Sequence, residues 1–418
     1  MKPANSLTAG PAIPPNQASR HATTQAAWRF LNNDKITLSA LIEPLRELAR
    51  TAISQSTSPF SLVVHDWSKL DFKSHGSKDD VLKLTHDKDV GYDLTSCLLV
   101  DAATGQPLAP VQMHLKTAEA IHSTAVKPPK KTDHHLEQLL PTMTEIGSWD
   151  LPRRPVHIVD READSLGHYR QWVKAGHLIL VRADDRRVLW EDESFLLSEI
   201  VKSLDSQRKF NKAREVLYHG KPAVQFVAET AVVLHKPHKT RTKGKQREIA
   251  GEPIEMRLIV SQIRNEKGKV LAQWMLLSNV PAKEAPTAEL ALWYYWRWRI
   301  ESFFKLLKSD GLQVEDWKQQ NGLAIARRLL VGAMACAVVW CLQQEESPAA
   351  KPFRQMLIRL SGRSMRYGVE STAPALLAGY FIYLTMVDFL STSQTSLEEL
   401  IQLGRDAGVP FFGPDKDV

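Results

Sequence analysis

Two aspartates and a glutamate, far apart in a chain of 418 residues, stand where carboxylates can do chemistry. Asp66 follows the apolar run Leu62-Val-Val-His65, and Asp160 follows Val156-His-Ile-Val159. Open α/β sheets place their sites at the ends of such strands. If the two strands lie side by side, both carboxylates share one sheet edge, where like charges repel unless a cation lies between them. The third acid, Glu301, falls in a stretch from Pro286 to Ser309 that reads as one helix. At about 100° per residue, Tyr294, Arg297, Glu301, Lys305 and Lys308 share an arc of about 80°. Leu292, Trp296, Ile300, Phe303 and Leu307 take the opposite face, so the apolar stripe docks on a core and the polar stripe faces outward. An arginine, two lysines and a tyrosine hydroxyl spaced three to four residues apart form a ladder suited to phosphates. Glu301 at its centre completes a three-acid set. Mg²⁺ takes oxygen ligands and keeps waters. Two such ions held by acids activate water or a 3′-hydroxyl and steady the leaving oxygen of an in-line displacement on phosphorus.

Plainer readings stand beside these. A strand-end aspartate also simply opens a turn, as Asp101 does before Ala102-Ala-Thr-Gly105. Glu301 and Lys305 are also an ordinary i,i+4 pair on a solvated helix face. His134-His135 begins a helix beside Asp133, and adjacent helical residues point to different faces, which argues against a shared metal. Cys336 and Cys341 lie in an apolar helix and read as buried small hydrophobes. Lys127, Lys130 and Lys131, around Pro128-Pro129, form a basic loop within reach of DNA.

The elements that must position the acids follow from periodicity. Residues 1–20 are rich in Pro and Asn and read as a disordered leader. Thr23–Ala52 is helical, with Leu38, Leu41, Ile42, Leu45 and Leu48 spaced by three and four. Strands follow at Ser61–His65, Tyr92–Val100 and Pro107–Lys116, the last two joined as a hairpin. A helix over Asp133–Ile146, a strand over Pro155–Val159, a helix over Ser165–Ala175 capped by Asp164 and a strand over His177–Arg182 complete a mixed α/β core. A β-rich stretch then runs to Ser278, with strands at Ala223–Ala228, Thr230–Leu234, Ile254–Val260 and Trp274–Ser278. It gives way to the Glu301 helix and to apolar helices at Leu323–Leu342 and Pro374–Leu390.

Composition narrows the setting. The chain is 43% hydrophobic and 24% charged, too apolar for a disordered protein. Three cysteines are too few for a disulfide framework or a structural zinc cluster and suit a reducing compartment. No signal peptide opens the sequence. The longest apolar run, Leu329–Leu342, is too short to span a bilayer. The net charge of +7 is concentrated in residues 201–250, which hold 12 Lys/Arg against 4 Asp/Glu. The densest part, Lys236–Arg247, is a solvated loop or a phosphate-binding arm.

The segment Tyr294-Tyr-Trp-Arg297-Trp-Arg-Ile-Glu301-Ser-Phe-Phe-Lys-Leu-Leu-Lys308 matches the Tyr-x2-Arg-x3-Glu-x6-Lys signature of bacterial DDE transposases and resembles the insertion-sequence-four family. Val159-Asp160-Arg-Glu-Ala-Asp164 is similar to that family's second-aspartate block, and Val64-His-Asp66-Trp-Ser to its first. Thr24-Gln-Ala-Ala-Trp-Arg-Phe-Leu-Asn32 resembles the segment before its catalytic domain. The resemblance covers about residues 22–345. It implies a ribonuclease-H-like mixed α/β sheet core with an inserted antiparallel β subdomain and a helical C-terminal region. It implies that Asp66, Asp160 and Glu301 bind two Mg²⁺, with Mn²⁺ as a substitute. Tyr294, Arg297, Lys305 and Lys308 then hold phosphates, and Trp274, otherwise one more core aromatic, stacks on a flipped-out base.

The implied activity is cut-and-paste transposition through a DNA hairpin, on transposon-end inverted repeats and target DNA, by a homodimer in the bacterial cytoplasm at the nucleoid. The implied division is a leader (1–21), a helical DNA-binding subdomain (22–58), a first core part (59–182), a β insertion (183–280), a second core part (281–320) and a helical dimerisation region (321–418). A shortened DNA-binding inhibitor of transposition and a ribonuclease-H-like nuclease with another task are the competing readings.

Overall fold

The structure is a computed structural model that describes residues 17–130, 134–242, 245–393 and 396–406. Two helices come first, α1 (Gln17–Leu31) and α2 (Leu38–Ser54). Thr37, in extended conformation, caps α2 by accepting a hydrogen bond from Ala40 N. The three-and-four spacing of α2 buries Ile42, Leu45, Ala49 and Ile53. Strands β1 (Phe60–Asp71), β2 (Leu82–Lys83), β3 (Val90–Asp101), β4 (Pro107–Lys116) and β5 (Ile121–Ser123) follow. Then come α3 (Leu139–Gly147), β6 (Arg154–Val159), α4 (Leu166–Lys174) and β7 (Leu178–Arg182). The long excursion after β7 holds β8 (Arg187–Trp190), β9 (Glu193–Leu196), α5 (Leu197–Ser206), β10 (Asn211–Tyr218), β11 (Lys221–Leu234), β12 (His238–Thr242), β13 (Lys245–Ile249), β14 (Ile254–Arg264) and β15 (Val270–Ser278). The chain continues as α6 (Thr287–Trp296), α7 (Trp298–Leu307), α8 (Gly322–Gln344), α9 (Ala350–Ser361), α10 (Ala373–Ser393) and α11 (Leu397–Asp406).

One sheet carries most strands, in the order β5-β4-β3-β1-β6-β7-β15-β14-β11-β8-β9, with β2 on β3 and β10 on β11. β1 runs parallel to β6 and β6 parallel to β7, while the other pairs are antiparallel. Parallel neighbours need crossover connections, which the α3 and α4 segments supply. This large mixed sheet is consistent with the ribonuclease-H-like core that the resemblance implies. The strands after β7 do not stand apart from it. β15 returns to pair with β7 over Leu276–Ser278, so the excursion extends the core sheet. The basic run Lys236–Arg247 contributes to a separate two-stranded hairpin, β12–β13, and the side chains of 239–247 lie outside the described residues.

Several elements differ from the sequence reading for identifiable reasons. β1 does not stop before Asp66: it continues to Asp71 because β3 pairs with it from Ser61↔Asp101 to Asp71↔Gly91. The single helix expected over Pro286–Ser309 is two, divided at Arg297. There Arg297 N bonds Tyr294 O and Ile300 N bonds Arg297 O, three-residue closures that tighten the turn. Asp164 does not cap α4, because it is taken up by the Tyr169 hydroxyl, Asp184 N and Arg186. The expected helix from Asp133 begins only at Leu139, and Lys131 and Asp133 lie outside the described residues. His134 and His135 therefore precede the helix, and the argument from helical faces does not apply. Their rings stand 3.8 Å apart. The expected leader lies outside the described residues up to 16, and Gln17 already begins α1. Cys336 is buried as expected, but Cys341 is exposed. Two described helices, α8 and α10, are long and apolar enough to cross a membrane by length and composition alone. α8 is mostly buried against α2 and β4 inside the fold, whereas α10 leaves Phe381, Leu384 and Met386 exposed.

Candidate active site

The parallel register of β1 and β6 explains how the two aspartates meet. Pairing runs from Phe60↔Arg154 to Val64↔Ile158. Two further steps along the same register bring Asp66, inside β1, level with Asp160, the first residue past β6. The backbone then fixes each carboxylate: Trp67 N donates to Asp66 Oδ1 at 2.9 Å, and Arg161 N donates to Asp160 Oδ1 at 2.7 Å. Residues Arg161–Ala163 form a 3₁₀ turn that Asp160 caps.

The α6–α7 junction supplies the rest. α7 docks through the fully buried Ile300 and Phe303, which leaves Glu301 on the side of the aspartates. Arg297, buried at the junction, donates from Nη1 to Asp66 Oδ2 and from Nη2 to Glu301 Oε1, both at 2.9 Å. Its Nη2 also lies 3.7 Å from Asp160 Oδ2. The Tyr294 hydroxyl donates to Asp160 Oδ1 at 2.9 Å. The three acids thus converge on a single guanidinium. Tyr294 and Arg297 do not face outward as the helical arc implied. They are buried against the sheet edge, and only the later part of the stripe reaches solvent.

Three carboxylates around one cation leave negative charge in excess. Burial pushes the Asp66 carboxyl up to about 6, with Glu301 and Asp160 adding to the rise while Trp67 N–H and Arg297 oppose it. Burial also acts on Asp160, but Arg297, Arg161 N–H, the Tyr294 hydroxyl and Arg182 outweigh it and hold that group below the usual carboxylate range. For Arg297, burial is outweighed by the surrounding acids and Tyr294, and the guanidinium is held more firmly charged than usual. Its Nε is buried without a partner. The donor set is all oxygen and carries surplus charge, which fits a hard divalent cation.

Lys305 and Lys308 line the same cleft with Asp66, Asp160 and Glu301. Lys305 is exposed at its rim, while Lys308 Nζ is held by Lys69 O at 2.8 Å and Glu315 Oε1 at 3.0 Å. Trp274 is not in that cleft. It is half-buried on β15 and lines a neighbouring cavity of about 620 Å³ with Tyr218, Tyr294, Tyr295 and Trp298. Tyr294 belongs to both, since its hydroxyl reaches Asp160 and its side chain helps wall the cavity. The sequence reading missed Tyr295 and Trp298, which are exposed beside the cavity, although the aromatic run Trp293–Trp298 signalled them. It also missed Glu315, whose only signal is distant pairing with Lys308 and with Asp71 N.

The family model described as transposase DDE domain matches residues 59–338, more than half of the chain. No curated protein matches the sequence.

Proposed function

The chain belongs to the transposases with a DDE domain, and from that we propose that it moves an insertion sequence of the insertion-sequence-four type by cut-and-paste transposition. DNA is the substrate class that the family implies. The observation that carries the finer reading is the gathering of Asp66, Asp160 and Glu301 about Arg297 and Tyr294. These three acids would hold two Mg²⁺, or Mn²⁺ in their place, and the bound ions would activate the attacking oxygen and steady the leaving one.

The chain's own residues bind and orient the DNA. Arg297 holds Asp66 and Glu301 in place through its two Nη groups, and Lys305, exposed at the rim of the cleft, offers a positive charge to a phosphate, with Lys308 beside it once released from Glu315. Tyr294 holds Asp160 in place through its hydroxyl. The cavity beside it takes an extruded base, with Trp274, Tyr295 and Trp298 offering aromatic faces that tolerate any base. Extrusion relieves strain in a tight hairpin, so the cavity supports a hairpin pathway. Water cleaves one strand at the element's end, and the freed 3′-hydroxyl attacks the opposite strand, expelling its 3′-oxygen and closing a hairpin. Water reopens the hairpin, and the same 3′-hydroxyl then joins target DNA. Each step exchanges one phosphorus–oxygen bond for another. Two copies bring two ends together, and the exposed apolar residues of α10 support pairing between copies.

The test is the purified chain with Mg²⁺ and DNA ending in the element's own inverted repeat. Hairpinned ends and strand transfer are expected. Cutting without end preference would point instead to a general nuclease, and binding without nicks to an inhibitor of transposition.

A further inference from the structure

We propose that His134, His135 and Glu162 form a binding site for a transition-metal cation of the Zn²⁺ class, distinct from the three-acid centre. One ligand atom from each lies within 4.8 Å of the other two. Two imidazoles and one carboxylate suit Zn²⁺ far better than Mg²⁺, and three protein ligands leave a position for water. A tetrahedral site with bonds of about 2.0–2.1 Å needs ligand atoms roughly 3.4 Å apart. His135 Nε2 and Glu162 Oε1 are already at 3.0 Å, and His134 is exposed and can rotate towards them.

The surroundings are built for this. Trp67 Nε1 donates to Glu162 Oε2 at 3.0 Å, which fixes the carboxylate and leaves Oε1 for a ligand. The Trp67 ring also stacks on His135 at 4.0 Å between centroids. His135 is buried, and its two ring nitrogens each face a carboxylate. Nε2 meets Glu162, and Nδ1 lies 3.7 Å from Asp93 Oδ2. A proton on Nδ1 and a metal on Nε2 satisfy both at once, the carboxylate–histidine–metal arrangement that orients a ligand ring. The competing account is a doubly protonated His135 paired with both acids. It leaves the His134 ring, whose Nδ1 accepts from Leu136 N at 3.4 Å, packed 3.8 Å from that cation.

The elements involved give the site a purpose. Glu162 rides on the 3₁₀ turn that Asp160 caps, and Trp67 follows Asp66. A metal here ties the segment entering α3 to the loop that carries Asp160.

The test uses the full-length, tag-free chain, stripped with a chelator and kept in excess Mg²⁺ so that the three-acid centre is saturated. Zn²⁺ is titrated by calorimetry, and Co²⁺ serves as the spectroscopic probe. One equivalent of Zn²⁺ should bind, and Co²⁺ should give tetrahedral visible absorption bands that Zn²⁺ abolishes. His135→Ala and Glu162→Gln should each weaken Zn²⁺ binding by at least about tenfold, while Glu301→Gln leaves it unchanged. His134→Ala alters an exposed side chain and decides the matter if His135→Ala fails to fold. Absence of a stoichiometric Zn²⁺ site overturns the proposal. So does a site that survives His134→Ala and His135→Ala but is lost in Glu301→Gln.

Discussion

The guanidinium of Arg297 touches Asp66 and Glu301 at 2.9 Å each and lies 3.7 Å from Asp160, so each acid is within reach of the same positive charge. Glu301→Gln keeps the shape and removes the charge. We expect it to abolish nicking in Mg²⁺ while DNA binding, measured by gel shift, stays within about twofold. Retained nicking would remove Glu301 from the chemistry. Asp66 gives a second expectation, through its carboxyl raised to about 6. In the fold this group keeps its proton up to about pH 6, whereas the unfolded chain releases it near 3.8. The folded state therefore binds more protons between those values, and stability of the chelator-treated protein should fall as pH rises through that window and level off above it. The loss is on the order of 3 kcal/mol. Denaturation at pH 4 and pH 7 should show a weaker fall in Asp66→Asn, and an identical fall in both proteins would refute the assignment. That Asp66 and Asp160 each follow an apolar run was legible, but the parallel pairing of β1 with β6 that brings them level was not. Nor was the buried setting of Tyr294 and Arg297, because a helical arc shows which residues share a face but not what that face meets.

The α6–α7 junction is held by a turn from the other end of the catalytic core. Gly105, between β3 and β4, has φ +71°, and a Cβ there would lie 2.2 Å from the Trp296 ring. Its carbonyl accepts from Arg299 Nε at 2.9 Å, and Trp293 Nε1 donates to Ala102 O at 3.1 Å. The turn therefore grips residues on both sides of Arg297. Gly105→Ala is expected to destabilise the fold by about 1–3 kcal/mol and to reduce nicking as Arg297 is displaced. Gly268 is the control: its φ is +76°, but nothing lies within 4 Å of the added Cβ. Gly268→Ala should cost about 1 kcal/mol of backbone strain and leave nicking intact. Equal nicking losses in the two variants would show that the contact with Trp296 does not matter. The division at Arg297 escaped the sequence because uninterrupted helical periodicity carries no record of a turn nearly 200 residues away. Asp164 misled for another reason: its side chain has cap chemistry, but the Tyr169 hydroxyl of α4 and Arg186 from beyond β7 take it up.

At the scale of the molecule, strand positions were legible from apolar runs, but strand partners were not. Nothing in the β15 sequence says that Leu276–Ser278 returns to β7 after an excursion of almost a hundred residues. The exposed side chains of α10 give the last expectation. Phe381→Glu combined with Leu384→Glu should leave the monomer folded and its DNA binding intact, yet prevent paired-end complexes in light scattering with end DNA. Unchanged pairing would move the dimer contact elsewhere. The shared sheet has one more consequence. Trp274 on β15 and Asp66 on β1 lie on strands three apart in one hydrogen-bonded sheet, and at about 4.8 Å per strand the two strands run roughly 14 Å apart. That spacing is set by backbone hydrogen bonding rather than by side chains. On the proposed reading, in which Trp274 stacks on an extruded base, replacing the indole should change how tightly that base is held while leaving the three acids where they are.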